Sequence, residues 1–133
     1  MSTDNRIPTS LFLLRLGVFV VMFMWTLDKF VNPVHAGMVY ERFYFMGGVG
    51  PAVLTIIGVV ELVLIVAFLL GVKKTITYGI VLGLHGISTL SSYQQYLGFD
   101  NLLFFAAWPM LAACFVLFYL RDLDTQYTLR QWA

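Results

Sequence analysis

Four long apolar segments dominate the chain, and each is nearly free of charged side chains. They run over residues 11–27, 52–70, 77–90 with an extension towards 97, and 102–120. A helix needs about 20 residues to cross a hydrocarbon layer about 30 Å thick, and each segment reaches that length with its flanks. Because backbone N–H and C=O groups must bond internally in lipid, these segments predict transmembrane helices.

The composition agrees with a membrane environment. Apolar residues make up 60% of the 133 and charged residues only 11%, against about 45–50% and about 25% in soluble domains. The net charge of +1 and the absence of a basic run interleaved with aromatics argue against nucleic acid binding. The single cysteine, Cys114, lies in the apolar stretch AACFVLF and is expected to be a packing thiol. No metal site is predicted, and His35 and His85 do not form a haem-ligand pair.

We therefore expect an all-α protein, a four-helix transmembrane bundle. Residues 1–133 would form a single integral membrane domain, with helices at about 9–30, 51–70, 75–97 and 101–120 and a polar tail over 121–133. The longest connection, between the first two helices, has room for a short amphipathic piece around His35–Phe45 at the membrane interface. The first helix is expected to be retained, because the only sequence resembling a cleavage site lies well past its apolar run.

The distribution of lysine and arginine predicts the orientation. Cytoplasmic segments of membrane proteins carry an excess of these residues. One side of the predicted bundle collects Arg6, Lys73, Lys74, Arg121 and Arg130, whereas the other collects Lys29 and Arg42. Both termini are therefore predicted to be cytoplasmic in a multi-pass membrane protein.

A single glutamate, Glu61, interrupts the apolar run GVVELVLIV in the second helix. A charged side chain at the centre of a membrane helix costs at least about 2.5–3.5 kcal/mol. Glu61 and His85 each lie about ten residues, or ~15 Å, from the tight turn between the second and third helices. They are thus expected at similar depth, and His85 or Arg15 is the expected partner of Glu61. The alternative is that Glu61 only joins helices by hydrogen bonds, which contribute under about 1 kcal/mol each in membranes.

A polar face on the third helix begins at His85. Residues at spacings i, i+3, i+4, i+7 and i+11 share one side of a helix; here they are His85, Ser88, Thr89, Ser92 and Tyr96. One interpretation is ordinary hydrogen bonding by small hydroxyls between helices. The other is the wall of a polar cleft, open to the outside, that extends a ligand- or proton-handling site at Glu61.

The first helix contributes a further polar face. Arg15, Met22, Thr26 and Lys29 project within about 60° of one another at 100° per residue. Arg15 lies near the cytoplasmic end and Lys29 near the outer end. Lys29 either extends to the outer interface, as long cationic side chains do, or turns inward. Both Arg15 and Lys29 are candidate site residues.

Three segments carry a resemblance to a known family. LLRLGVFVVMFMWTLDKFVNP has an arginine followed by a lysine at the helix end, and GPAVLTIIGVVELVLIVAFLLGV has a mid-helix glutamate between a Gly-Pro entry and a glycine exit. With NLLFFAAWPML, they resemble the DoxX family of small four-helix bacterial membrane proteins over roughly residues 11–121. The resemblance implies an inner-membrane protein linked to redox chemistry; one branch of the family is the small subunit of thiosulfate:quinone oxidoreductase. Arg15, Lys29 and Glu61 are the positions that it carries over.

Two classes of function follow, and both stay open at this point. The first is a membrane subunit or anchor that helps a protein partner with a redox cofactor to exchange electrons with the quinone pool. Glu61 and His85 would then bind a quinol head group or take its protons; beyond a bound quinone, no cofactor is expected within the chain. The second is a non-catalytic scaffold, or a protein that binds a lipid-like ligand.

Two further points concern assembly. A small solute or proton carrier is a third hypothesis, and with four helices it would require several copies of the chain. Gly79 and Gly83 form a GxxxG motif, which allows close helix packing either within one chain or in a homo-oligomer.

The orientation gives a direct prediction. A topology reporter fused after Ala133 should be cytoplasmic, and one inserted near Tyr40 should be external, because lysine and arginine favour the cytoplasmic side. Reporter activity on the two sides of the membrane measures this. An external carboxyl terminus would contradict the orientation.

Overall fold

The computed structural model describes residues 4–133, and these residues are helical with no β-strand among them. Five α-helices follow one another along this part of the chain: α1 (Arg6–Val31), α2 (Pro33–Tyr44), α3 (Pro51–Leu69), α4 (Lys74–Ser91) and α5 (Ala107–Tyr119). Short 3₁₀ turns cover Tyr93–Tyr96, Leu102–Ala106, Arg121–Leu123 and Arg130–Trp132. The all-α expectation is confirmed.

Three helical segments are long and apolar enough to cross a membrane. They are Arg6–Val31, Pro51–Leu69 and Leu102–Tyr119, the last including the 3₁₀ turn before α5. Their outer surfaces expose large apolar side chains, such as Val60 and Val63 on α3, which is the arrangement that a lipid environment favours. Helix α4 is not among the three, and its sequence includes a lysine, a histidine and several hydroxyl residues.

The break between α1 and α2 follows from local chemistry. Proline disfavours the helical conformation of the residue before it, so α1 ends before Asn32. Pro33 then begins α2, where a missing N–H costs nothing. The Asn32 side chain caps α2 by accepting a hydrogen bond from the backbone N–H of His35 at 3.3 Å. Helix α2 thus occupies the connection in which the sequence predicts a short amphipathic piece.

Two helix boundaries differ from the sequence prediction. Helix α4 ends at Ser91 rather than near residue 97, and the chain continues as a 3₁₀ turn over Tyr93–Tyr96. The Ser92 hydroxyl donates to the Ser88 carbonyl at 3.0 Å. Helix α5 begins at Ala107 rather than at 101, which places Pro109 in its first turn, where proline is tolerated.

The four long helices share one core. Helix α1 packs against α3 and α5, and α4 packs against α5 and α3. The buried cluster draws on all four of these helices and comprises Leu11, Val18, Phe68, Tyr78, Val81, Cys114 and Leu117. Gly79 lies against the ring of Phe118, so a Cβ there would approach the ring to 3.3 Å. This first glycine of the GxxxG motif therefore serves packing within the chain.

The carboxyl-terminal segment folds back onto one end of the helices. The Lys73 N–H donates to the Trp132 carbonyl at 2.6 Å, and the Leu129 N–H donates to the Leu70 carbonyl at 2.8 Å. At Gly71 the backbone has a positive φ of 70°, and a Cβ would approach Thr128 to 2.7 Å. Only glycine fits this position without strain, because the backbone is in the left-handed region and the tail leaves no room for a Cβ.

Asp124 anchors this tail in a buried polar network. Its carboxylate forms an ion pair with Arg15 of α1, and both side chains are fully buried. The Tyr78 hydroxyl donates to the second carboxylate oxygen at 2.6 Å, and the Lys74 Nζ donates to the Asp124 carbonyl at 2.5 Å. Arg15 also donates from Nε to the Leu69 carbonyl at 2.9 Å. The network therefore joins α1, α3, α4 and the tail at a single point.

Removing the carboxylate should destabilise the protein. In Asp124→Asn the Arg15 guanidinium stays buried without a counter-charge, which typically costs about 3–5 kcal/mol. The measurement is the free energy of unfolding in detergent, with trypsin cleavage of the tail as a second readout. Asp122→Asn, an exposed neighbour in the same tail, is the matched control and should have little effect. Equal stability of the two variants would contradict the anchoring role of Asp124.

Candidate functional site

An ion pair between α1 and α3 is the central feature of the candidate site. The Lys29 Nζ lies 2.8 Å from Glu61 Oε1. Lys29 is buried, with 9% of its side chain exposed, whereas 21% of the Glu61 side chain is exposed. The Lys29 side chain is thus more shielded than the Glu61 side chain.

The helix geometry explains how these two residues meet. Helices α1 and α3 are antiparallel, since the Arg15 end of α1 contacts Leu69 at the end of α3. Side chains lean towards the amino terminus of their own helix, so Lys29 leans inward from the end of α1 and Glu61 leans outward from the middle of α3. The Lys29 side chain runs along α1 towards its amino terminus, and its Nζ lies 3.5 Å from the Trp25 carbonyl oxygen. The inward alternative for Lys29 is therefore the one observed.

Tyr40 of α2 completes this cluster. The Lys29 Nζ lies 5.6 Å from the centre of the Tyr40 ring, a cation–π contact. Burial, and next the negative charge of Glu61, raise the pKa of Tyr40 to about 12. Tyr40 was not singled out by the sequence, because nothing in its spacing connects it with α1 or α3.

The observed partner of Glu61 differs from the two that the sequence favours. Glu61 pairs with Lys29, whereas Arg15 pairs with Asp124 and His85 bonds elsewhere. The His85 Nε2 lies 3.0 Å from the Ala107 carbonyl, to which it donates as the Nε2–H form. His85 thus connects α4 with the start of α5.

The hydroxyl residues on α4 bond mainly to their own helix. Thr89 donates to the His85 carbonyl at 2.7 Å, and Ser92 donates to the Ser88 carbonyl at 3.0 Å. The Tyr96 hydroxyl donates to the Thr89 carbonyl at 2.8 Å. Ser88 is half-buried, and its backbone carbonyl accepts the hydrogen bond from the Ser92 hydroxyl. These contacts are local, so they are not the hydrogen bonds between helices that the first interpretation of the polar face expects.

The polar face predicted on α1 is buried, but its two ends serve different clusters. Arg15, Thr26 and Lys29 are buried. Arg15 belongs to the tail network and Lys29 to the candidate site.

Asp124 and Tyr78 were missed by sequence reasoning. One feature of the sequence could have predicted Asp124. Arg15 inside a membrane helix needs a carboxylate partner, and the tail supplies Asp122 and Asp124 near the same end of the bundle.

A cavity lies at the end of the molecule that holds α2. It has a volume of about 610 Å³ and is lined by residues that include His35, Glu41, Arg42 and Gln95. Neither Lys29 nor Glu61 is among the lining residues. His35 Nδ1 lies 2.6 Å from Asp28 Oδ2, which fixes the junction of α1 and α2. Access to Glu61 is therefore through its own exposed fraction rather than through this cavity.

Comparison with known proteins gives no match: no family model, no curated protein and no solved structure is similar to the chain. The chemistry of the candidate site accordingly rests on its own residues and their contacts.

Proposed function

We propose that the chain is a four-helix, multi-pass protein of the bacterial inner membrane with both termini in the cytoplasm. In this proposal α1, α3, α4 and α5 are the four membrane helices. Two observations support it: the four helices share a buried core, and three helical segments have the length and apolarity of membrane spans. The tail network then lies at the cytoplasmic end, and α2 lies at the outer interface.

Within that membrane protein, we propose a role as membrane subunit or anchor of a quinone-linked redox system. The observation that carries this function is the Lys29–Glu61 pair. In this proposal the Lys29 ammonium donates a hydrogen bond to a quinone carbonyl, and Glu61 gives or takes the proton that accompanies each electron. The redox cofactor that exchanges electrons belongs to a partner protein. The resemblance to DoxX proteins at Arg15, Lys29 and Glu61 supports the same role.

The partial exposure of Glu61 fits a ligand that enters from the lipid. A quinone dissolves in the hydrocarbon layer, from which its head group would approach the partly exposed Glu61 side chain. Tyr40, whose ring lies 5.6 Å from the Lys29 Nζ, would add an aromatic wall and a hydroxyl group to such a site. Ligand pockets commonly combine apolar walls with a few convergent polar groups of this kind.

A non-catalytic scaffold is the second candidate, and one observation favours it. The polar face on α4 bonds within the chain, and His85 joins α4 to α5. If Glu61 and Lys29 likewise serve only to hold helices together, the chain is a scaffold or binds a lipid-like ligand without chemistry.

Quinone binding distinguishes these candidates. The protein in mild detergent should bind a short-chain quinone supplied in its reduced form, the quinol, whose hydroxyl can donate to the Glu61 carboxylate. Glu61→Gln should weaken this binding by about 10-fold or more, the cost of losing one hydrogen bond to a charged group. His85→Leu is the control, since His85 contacts Ala107 and not the pair, and it should leave the affinity unchanged. Calorimetric titration measures all three proteins.

The result also separates the two candidates from each other. Unchanged quinone affinity in folded Glu61→Gln protein, or no binding by the parent chain, would favour the scaffold. Equal losses in Glu61→Gln and His85→Leu would place the site between α3 and α4, contrary to the proposal.

A further inference from the structure

A second cavity lies at the opposite end of the molecule from α2 and is strongly basic. It has a volume of about 500 Å³, within the range of small-ligand pockets. The turn between α3 and α4 forms one wall, and the folded-back tail forms the other. Its charged lining comprises four basic side chains, Lys73, Lys74, Arg121 and Arg130, against two acidic groups, the Asp122 side chain and the carboxylate of Ala133.

Most of these positive charges lack a counter-ion in the described part of the chain. Lys73, Arg121 and Arg130 form no ion pair within residues 4–133. Lys73 and Arg130 are exposed. Arg121 is held in place, donating to the Thr75 hydroxyl at 3.0 Å and to the Phe118 carbonyl at 2.9 Å. Lys74 is already engaged with the Asp124 carbonyl. The cavity therefore offers an unbalanced positive charge on a fixed framework.

An apolar strip leads away from this cavity along α4. Ile76 lines the cavity and is exposed. Positions three or four residues apart share one helix face, and the exposed residues that continue this face are Ile80, Leu84 and Ile87. At the cavity end, Trp132 and Tyr119 are exposed as well, and such aromatic residues favour the membrane–water interface. The basic cavity thus adjoins an apolar face that runs along most of α4.

We propose that this cavity binds the phosphate of an anionic phospholipid, whose acyl chains lie along the strip from Ile76 to Ile87. The proposal rests on the membrane-spanning part of the proposed function and not on its redox part. Basic recesses between membrane helices on the cytoplasmic side are suited to anionic head groups. Charge complementarity and the adjoining apolar strip together distinguish a phospholipid from a soluble phosphate.

Lys73 and Arg130 are the two side chains expected to contact the phosphate. Lys73 belongs to the helical turn and Arg130 to the tail, and the Lys73 N–H already bonds to the Trp132 carbonyl. One phosphate between these residues would hold the tail against the turn. The lipid would in this way add to the buried Asp124 contacts that hold the tail against the helices.

Lipid titration followed by native mass spectrometry tests this directly. The delipidated protein is titrated with phosphatidylglycerol and with phosphatidylcholine of the same acyl chains. The parent chain should bind phosphatidylglycerol at least about 10-fold more tightly. The double variant Lys73→Gln/Arg130→Gln should lose that preference, whereas its affinity for phosphatidylcholine stays unchanged. Circular dichroism checks that the variant remains helical.

The matched control is Arg6→Gln/Arg42→Gln, which removes the same charge from exposed positions outside the cavity and should keep the preference. Equal affinity of the parent chain for both lipids, or an equal loss in the control, would overturn the proposal. Competition by inorganic phosphate at concentrations similar to the lipid would assign the cavity to a soluble phosphate instead. Glu61→Gln should leave phosphatidylglycerol binding intact, so failure of the quinone site is distinguishable from failure of this one.

Discussion

The cost of placing charged side chains away from water is the constraint on which the structure depends. Helix α1 carries two buried cations, Arg15 and Lys29, separated by 14 positions or about 21 Å of helix. Each is paired with a carboxylate from another part of the chain, Asp124 and Glu61. Leaving either cation unpaired would be strongly destabilising. These two pairs therefore fix how α1 sits against α3 and against the tail.

The two pairs have different environments, and this difference separates structure from function. The Arg15–Asp124 pair is fully buried, and its remaining hydrogen-bonding groups are occupied by Tyr78 and by backbone carbonyls. Such a saturated network has no group left for a ligand. In the Lys29–Glu61 pair the Glu61 side chain stays partly exposed, and the Tyr40 phenol lies beside Lys29. The proposed chemistry therefore belongs to the second pair.

Much of the fold could be predicted from the sequence, because hydropathy and proline positions determine where these helices run. The partners of the charged residues could not be predicted as well. Depth along the backbone brings Glu61 close to His85. Lys29 reaches Glu61 through the length and direction of the two side chains, which backbone depth does not describe. Asp124 was missed because a polar tail gives no periodic signal, and its burial depends on the tail folding back.

The most direct test of this account is a double-mutant cycle on the Lys29–Glu61 pair. Lys29→Gln and Glu61→Gln each leave one buried charge without its partner, whereas the double variant leaves none. The free energy of unfolding in detergent should therefore fall less in the double variant than the sum of the two single losses, with an interaction energy of about 1–3 kcal/mol. Strictly additive losses would contradict the claim that this pair is formed inside the membrane protein.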